Sequence, residues 1–189
     1  MTEATRAWLR ALPSFPDDLP GFDVDAAPAE PVELFLEWIR DVVDTGTLAA
    51  HACTVSTSDA DGVVTARVLV LKDVEPGRWR IATPTGGLAG TAALRNPHAA
   101  LTFFWPTVGR QVKVGGSIAL ASREVAIADY RARPGVPDDL DPELVPSDWA
   151  VWTVEPESVE FWQAAHSRDH IRLRYLATAD GWSRARPQP

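Results

Sequence analysis

Apolar residues follow a helical period after Pro31 and a strand period from residue 52 onward. The helical part repeats at steps of three and four residues, which places its apolar side chains on one face. Pro31 suits the first turn of such a helix, because a first-turn amide has no intrahelical acceptor to lose. The pattern predicts a helix that begins at Pro31 and ends near Thr45-Gly46, with an apolar face made of Leu34, Phe35, Trp38, Ile39 and Val42.

From residue 52 the apolar and polar positions alternate in short segments, which is typical of half-buried strands. The turn DADG at 59–62 separates two of them and predicts a hairpin. Many short antiparallel strands with few helices favour a mainly β protein with peripheral helices, built as a closed or split β-barrel. The predicted strands are 52–58, 64–72, 77–83, 99–105, 110–122, 149–156, 159–163, 170–176 and 182–186.

The remaining segments read as short helices and loops. Residues 1–30 are rich in Pro, Asp and Ala and predict a partly flexible N-terminal arm with one helical turn at 5–12, followed by a single domain over 31–189. Short helices are expected before Asn96-Pro97 and between Ser122 and Pro134. Residues 135–147, which are rich in proline and acidic residues, predict a loop with at most one helical turn.

Charge and composition exclude several classes of function. The formal charge of −8 argues against a nucleic-acid surface, which needs a basic face. The N-terminal residues lack the pattern of a signal peptide, and no apolar run reaches the roughly 18 residues that span a bilayer. A cytoplasmic protein without a membrane segment is expected. The single cysteine, Cys53, lies in an alternating apolar run and predicts a buried, inert thiol rather than a metal ligand.

Cationic and titratable residues are concentrated in FWQAAHSRDHIRLRY at 161–175. Arg168, His170 and Arg172 alternate, so a strand there would place all three on one face. Such a face suits an anionic ligand, and a solvated strand with its apolar residues turned inward is the alternative. His166 and Asp169 fall off this face and are expected in a loop.

Four further positions carry weaker signals. Arg67 and Lys72 bracket an apolar strand and, being five residues apart, should point to opposite faces. Gln111 offers both a donor and an acceptor, which suits the edge of a heterocycle. Trp162 could stack on a planar cofactor or pack in the core. Motifs of serine hydrolases, P-loop proteins and zinc proteases do not occur in the sequence.

In chain order, the segments ARVLVLK, RNPHAALTFFWP, GRQVKVGG, YRARP and VEFWQAAHSRDHIRLRY followed by DGW resemble the pyridoxamine 5′-phosphate oxidase family. The likeness covers most of the chain from about Pro31. It implies an antiparallel six-stranded split β-barrel of the FMN-binding type, and a homodimer with FMN at the subunit interface. It also implies a small-molecule substrate, a B6 vitamer whose amine or alcohol carbon is oxidised with molecular oxygen as acceptor.

The resemblance also implies roles for individual residues. The implied flavin contacts are Arg67, Val68, Leu69, Val70, Leu71, Lys72, Thr83, Gln111, Trp162 and Arg172. The implied substrate contacts are Lys72, Arg133, Arg168 and His170. Arg168 and His170 would hold the substrate over the flavin as the catalytic pair, and Arg133 and Lys72 would bind its phosphate.

The sequence departs from the family at the phosphate-binding positions. Gly87-Leu88-Ala89 stands where the family has a Ser-Arg-Lys run that grips the flavin phosphate, and Asp129 and Pro137 stand where it has a substrate-side tyrosine and serine. These departures predict weakened FMN binding and a substrate other than a B6 phosphate. Two alternatives stay open: a deazaflavin-dependent or phenazine-type oxidoreductase of the same fold, and a non-catalytic flavin- or vitamer-binding protein.

Overall fold

A computed structural model describes residues 2–187, with only the backbone of Leu88 and Ala89. Four α-helices and eight β-strands lie in this part of the chain, together with two single 3₁₀ turns at Pro106–Val108 and Pro142–Leu144. The helices are α1 Glu3–Ala11, α2 Pro31–Asp44, α3 Leu88–Arg95 and α4 Arg123–Arg131. The strands are β1 Ala52–Ser58, β2 Val64–Glu75, β3 Arg78–Ala82, β4 His98–Trp105, β5 Arg110–Leu120, β6 Val151–Gln163, β7 Ile171–Thr178 and β8 Gly181–Ala185.

The strands form one antiparallel sheet in the order β3-β2-β1-β4-β5-β6-β7-β8. A further pairing between β3 and β6, from Trp79 opposite Val154 to Ala82 opposite Val151, closes the first six strands into a barrel. Closure removes two sheet edges that would otherwise expose unpaired backbone groups. The predicted six-stranded split barrel is confirmed, and β7 and β8 extend it on one side.

The predicted helix α2 is confirmed and packs its apolar face against the barrel core. Phe35 is fully buried, with its ring centroid 4.5 Å from that of Trp79 and 4.9 Å from that of Phe103. Burial of one such side chain contributes roughly 1.5–3 kcal/mol. Trp38 lies under the Arg110 guanidinium, whose carbon is 4.4 Å from the ring centroid.

Arg110 is only 4 % exposed, and its guanidinium has hydrogen-bond partners on two sides. Its Nε donates to Gln163 Oε1 at 3.0 Å, and its NH1 donates to Asp41 Oδ2 at 2.8 Å. A buried charge is tolerated when it is paired and hydrogen-bonded in this way. Arg110 therefore ties α2 to the ends of β5 and β6.

The predicted break between strands 149–156 and 159–163 is wrong, because β6 runs without interruption across Pro156. Pro156 pairs with Gly116 and Ser158 pairs with Gly115, which leaves Glu157 as the extra residue of a β-bulge. A bulge accommodates a proline that cannot donate to the ladder. A Cβ on Gly116 would lie 2.0 Å from the Glu155 carbonyl oxygen, so this crossing requires glycine.

The other local predictions agree with the structure. Asp59 closes the hairpin turn, since its Oδ1 accepts from the amides of Asp61 and Val63 at 3.0 and 2.9 Å. The loop at 135–147 contains one 3₁₀ turn, as expected. Helix α1 begins two residues earlier than predicted, with Thr2 as its N-cap.

The segment after α1 packs along the barrel. A Cβ added to Gly109 would lie 2.8 Å from Leu19 Cδ2, and the Tyr175 hydroxyl donates to the Pro28 carbonyl oxygen at 2.7 Å. His166 Nε2 lies 2.9 Å from the Asp17 carbonyl oxygen. These contacts hold residues 17–28 near the end of β6. Among the described residues, no helix combines the length and apolarity needed to cross a membrane.

Candidate active site

Three of the implied flavin contacts lie side by side on the outer face of the sheet. Gln111 on β5 pairs with Trp162 on β6, and Trp162 pairs with Arg172 on β7. Directly paired residues of antiparallel strands point to the same side. Val112, the next residue on β5, is fully buried, so this row faces away from the barrel interior. We call Gln111, Trp162, Arg172 and the adjoining His170 the aromatic half-site.

A cleft of about 450 Å³ opens over the aromatic half-site. Phe15 and Phe104 form apolar walls, and Phe104 is 52 % exposed. The Trp162 ring centroid lies 5.8 Å from that of Phe15 and 4.8 Å from that of His170. A flat aromatic side chain beside a guanidinium and an amide suits a planar heteroaromatic ligand.

His170 is oriented by the backbone of the turn before β7. Its Nδ1 accepts a hydrogen bond from the Ala165 amide at 3.1 Å. A neutral imidazole whose Nδ1 accepts carries its proton on Nε2. In that tautomer His170 presents an Nε2–H donor on the other side of its ring.

Arg168 does not share a strand face with His170 and Arg172, so that prediction is wrong. Strand β7 begins only at Ile171, and Arg168 has a left-handed φ of 69° in a turn where its amide donates to the Ala165 carbonyl oxygen at 3.0 Å. The turn breaks the alternation that the spacing implied. Arg168 is exposed, while Asp169 and His166 lie in this loop as expected.

A second group of implied contacts surrounds strand β2 and the beginning of α3. Arg67 pairs with the buried Val55, which places it on the opposite side of β2 from Val68. Its NH1 lies 3.5 Å from the position of a Cβ on Gly87, the N-cap of α3. The first amides of a helix have no intrahelical acceptor and favour an anion. Arg67 and this helix start therefore bring positive charge together at one end of α3.

Thr83, at the end of β3, carries a hydroxyl with no partner. Its Oγ1 is buried, and the described residues offer it no hydrogen bond. Its amide donates to Ala150, and its carbonyl accepts from Trp152 Nε1 at 3.0 Å, so the backbone around it is fixed. A buried hydroxyl left without a partner is costly and points to a ligand that completes it. The implied cofactor contact at Thr83 fits this observation.

Lys72 lies at a β-bulge in the β2–β3 pairing. Leu71 pairs with Ile81 and Asp73 with Arg80, so Lys72 is the extra residue. Its Nζ lies 3.6 Å from Asp129 Oδ1 on α4. The bulge interrupts the alternation of β2 at this residue, and the Lys72 ammonium faces α4.

Arg133 follows α4 and is held by two aromatic rings. Its guanidinium carbon lies 4.6 Å from the Trp149 ring centroid and 5.1 Å from that of Tyr130. We call Arg67, Lys72, Thr83 and Arg133 the cationic half-site. The uncharged run at Gly87-Leu88-Ala89 adjoins it, but the side chains of Leu88 and Ala89 lie outside the described residues.

The two half-sites are far apart within one protomer. Around the closed barrel the shorter path from β2 to β7 passes through β3 and β6 and crosses three strand spacings of about 4.8 Å, or about 14 Å. Along β6, Trp162 lies eight residues beyond Val154, where the pairing with β3 ends, or about 27 Å further. The protomer therefore does not bring all the implied contacts to one point.

The sequence reasoning missed Phe15, Phe104 and Trp149. Phe104 could have been found, because the alternation in β4 turns Phe103 inward and leaves a large aromatic side chain outward. Trp149 and Phe15 reach their sites from loops, and no local pattern marks such long-range contacts. The sequence identifies Asp129 as a departure from the family. It does not predict the ion pair of Asp129 with Lys72, because that contact depends on the packing of α4.

Two chemistries have no support among residues 2–187. No group of three His, Cys, Asp or Glu side chains in that range could hold a metal ion. Burial raises the pKa of the Cys53 thiol to about 12, so the buried cysteine is an inert thiol, as expected.

Comparison with known proteins identifies the family of the chain. Residues 39–163 match the family model described as pyridoxamine 5′-phosphate oxidase. Residues 149–189 match the pyridoxine 5′-phosphate oxidase C-terminal dimerisation region. The pyridoxine/pyridoxamine 5′-phosphate oxidase of Pseudomonas fluorescens strain Pf0-1 is 33 % identical over 195 residues, covering 86 % of this chain and 90 % of the relative. That of Pseudomonas paraeruginosa strain PA7 is 31 % identical over 194 residues, covering 86 % and 90 %.

Solved structures show the same fold at lower identity. PhzG from Burkholderia lata, in complex with tetrahydrophenazine-1-carboxylic acid, superposes with a TM-score of 0.75 at 20 % identity, covering 94 % of this chain and all of that one. A pyridoxamine 5′-phosphate oxidase-related, FMN-binding protein from Nostoc punctiforme gives 0.64 at 16 %, covering 84 % and 97 %. Given its barrel, the two matched family models and curated relatives above 30 % identity, the chain belongs to the pyridoxamine 5′-phosphate oxidase family.

Proposed function

We propose that the protein is an FMN-dependent oxidoreductase that oxidises a CH–NH₂ or CH–OH carbon of a small substrate, with molecular oxygen as acceptor. The observation that carries this proposal is the row of Gln111, Trp162 and Arg172, which strand register aligns under one cleft. When bound, FMN would supply two-electron redox chemistry, with the substrate carbon as hydride donor, molecular oxygen as final acceptor and hydrogen peroxide as the reduced product.

The cationic half-site fits the phosphate end of FMN. Arg67 and the start of α3 supply positive charge, and the orphaned Thr83 hydroxyl supplies a donor. The backbone at Gly90 also packs closely, since a Cβ there would lie 2.6 Å from the Pro84 carbonyl oxygen. Arg67 takes over part of the grip that Gly87-Leu88-Ala89 lacks.

A second copy of the chain supplies the other half of each site. The two half-sites lie far apart within one protomer, so one flavin contacts both only if two protomers meet over their outer faces. Exposed apolar side chains on that face, Val64 at 69 %, Val68 at 67 % and Phe104 at 52 %, suit such an interface. The matched dimerisation region at 149–189 supports a homodimer.

In this arrangement His170 and Arg168 orient the substrate. The Nε2–H of His170 donates a hydrogen bond to a substrate oxygen, because its Nδ1 is already committed to the Ala165 amide. The exposed Arg168 guanidinium adds a charged donor from the same turn. Trp162 and Phe15 give the cleft an apolar lining.

The test is a fluorescence and absorbance titration of the purified protein with FMN. We expect tight uptake of one FMN per protomer with quenched flavin fluorescence, and peroxide formation when a substrate amine or alcohol is supplied. Absence of flavin uptake would contradict the proposal. A parallel titration with a deazaflavin tests the alternative cofactor, and uptake without peroxide across a panel of amines and alcohols would favour a binding protein.

A further inference from the structure

An internal ion pair occupies the substrate end of the cationic half-site. Asp129 lies between two partners: its Oδ1 is 3.6 Å from Lys72 Nζ, and its Oδ2 accepts from Trp149 Nε1 at 3.1 Å. The Asp129 side chain is 13 % exposed and that of Lys72 is 30 % exposed. The carboxylate is therefore held from two sides, and Lys72 already has a carboxylate partner.

Arg133 is the cation that remains for a ligand. Trp149 and Tyr130 hold its guanidinium against their faces, and no carboxylate of residues 2–187 lies within 4.0 Å of it. A guanidinium ordered on aromatic rings keeps its N–H fork in plane, and that fork matches a carboxylate through two parallel hydrogen bonds. Trp149 links the two features, since it packs on Arg133 and donates to Asp129.

The charge of this cluster matches a monoanion better than a dianion. Lys72 and Arg133 contribute two positive charges and Asp129 one negative charge, which leaves one positive charge. A phosphate monoester carries about −1.5 to −2 at pH 7. A phosphate placed on Lys72 would meet the Asp129 carboxylate, and displacing Asp129 would leave a part-buried charge unpaired.

We propose that the Lys72–Asp129–Arg133 cluster selects substrates that carry a carboxylate over those that carry a phosphate monoester, with Asp129 as the specificity-determining residue. The proposal rests on the oxidoreductase function proposed above, since it assigns the substrate class of that same site. Arg133 binds the carboxylate, and Asp129 repels the second negative charge of a phosphate.

The experiment compares two ligands that differ only in their charged group, phenylacetate and benzyl phosphate. Isothermal titration calorimetry on the full-length protein, as purified and after FMN loading, gives both dissociation constants. We expect phenylacetate to bind about tenfold more tightly, a difference typical of one charge contact. Equal affinities, tighter binding of benzyl phosphate, or no binding of phenylacetate would each overturn the proposal.

Variants make the test specific to Asp129. Asp129→Asn keeps an oxygen for the Trp149 N–H and removes the charge, so we expect benzyl phosphate to gain about tenfold and the preference to disappear. Asp139→Asn is the control, because it removes an equal charge from an exposed position in the neighbouring loop. An unchanged preference in Asp129→Asn, or an equal shift in the control, would contradict the assignment.

A second variant keeps the proposal testable if Asp129→Asn fails to fold. Arg133→Gln changes an exposed side chain, so folding should persist, and we expect phenylacetate affinity to fall about tenfold. Unchanged affinity would contradict the role of Arg133. Calorimetry does not depend on flavin, so the two proposals can fail separately. If the protein takes up no FMN but prefers the carboxylate, and Asp129→Asn abolishes that preference, the proposed function is contradicted and this inference stands.

Discussion

The aromatic and cationic half-sites are built by different kinds of structure. In the aromatic half-site, three residues fall in line because strands β5, β6 and β7 are in register. In the cationic half-site, a bulge at Lys72, the start of α3 and the loop residue Trp149 bring side chains together. Regular pairing fixes the first, whereas long-range packing fixes the second.

This difference indicates which half-site a single substitution can rearrange and which half-site keeps its alignment. The alignment of a row set by register changes only if the whole sheet shifts, so the fold itself keeps these three positions side by side. A cluster of side chains from a bulge, a helix and a loop can change its charge by one substitution. The ion pair of Asp129 with Lys72 shows how one residue can change the charge of the cationic half-site while the aromatic row keeps its alignment.

The largest effect is expected from breaking the register that builds the aromatic half-site. Gly116→Val places a side chain against the Glu155 backbone at the β5–β6 bulge, where even a Cβ would lie 2.0 Å from the carbonyl oxygen. We expect a loss of about 3 kcal/mol in the free energy of unfolding. Chemical denaturation measures it.

Gly115→Val is the matched control for that substitution. Its Cβ would meet only the Ser158 hydroxyl, at 3.4 Å, and a side chain can move aside. We expect this variant to lose well under the amount lost by Gly116→Val. Similar losses in both variants would mean that the bulge does not set the register.

A smaller effect is expected from weakening the cationic half-site. Arg67→Gln removes the guanidinium beside Gly87, and a charge-assisted bond to phosphate is worth about 1.5–3 kcal/mol. The dissociation constant for FMN should rise tenfold or more, and that for riboflavin, which lacks the phosphate, should not change. Arg95→Gln, at the other end of α3, is the control. Equal weakening of both flavins would place Arg67 away from the phosphate.

The aromatic half-site should respond more weakly to loss of its ring. Trp162→Leu removes the contacts with Phe15 and His170, and an aromatic pair is worth about 0.5–1.5 kcal/mol beyond its buried area. We expect FMN and riboflavin to lose affinity together, since both contain the same ring system. Trp8→Leu, on exposed α1, should leave both unchanged. Loss of FMN binding alone would contradict the assignment.

The smallest expected signal comes from Cys53, on strand β1 between the two half-sites. Because burial raises its pKa to about 12, the folded protein keeps the thiol protonated, and labelling by a thiol reagent at pH 8 should be negligible until the protein unfolds. The unfolded thiol loses its proton near pH 8.5, so stability falls as the pH rises above that value. Rapid labelling of the native protein would show that this part of the barrel opens.

Much of the fold followed from local patterns, and the candidate site followed only in part. The period of two placed the strands, and it aligned Gln111, Trp162 and Arg172 once the register was known. It failed at Arg168, because a turn with a left-handed residue interrupts the alternation, and at Pro156, because a bulge carries the strand past a proline. Neither the orphaned Thr83 hydroxyl nor the Trp149 contact has a local signature, since both depend on distant chain segments.

The central claim is that each flavin lies between the cationic half-site of one protomer and the aromatic half-site of its partner. Two charge reversals at non-buried positions, Arg67→Glu and Arg172→Glu, each damage one half-site. Co-expression with different affinity tags allows purification of the mixed dimer, in which one site carries both changes and the other carries neither.

The decisive measurement is the FMN stoichiometry of that mixed dimer beside the two single-variant dimers. The account predicts that each single-variant dimer binds FMN at least tenfold more weakly than the unchanged protein, and that the mixed dimer binds one FMN with the unchanged affinity. A mixed dimer that lacks a site of unchanged affinity would contradict the account. So would FMN binding by the unchanged protein as a monomer, with variants that also purify only as monomers.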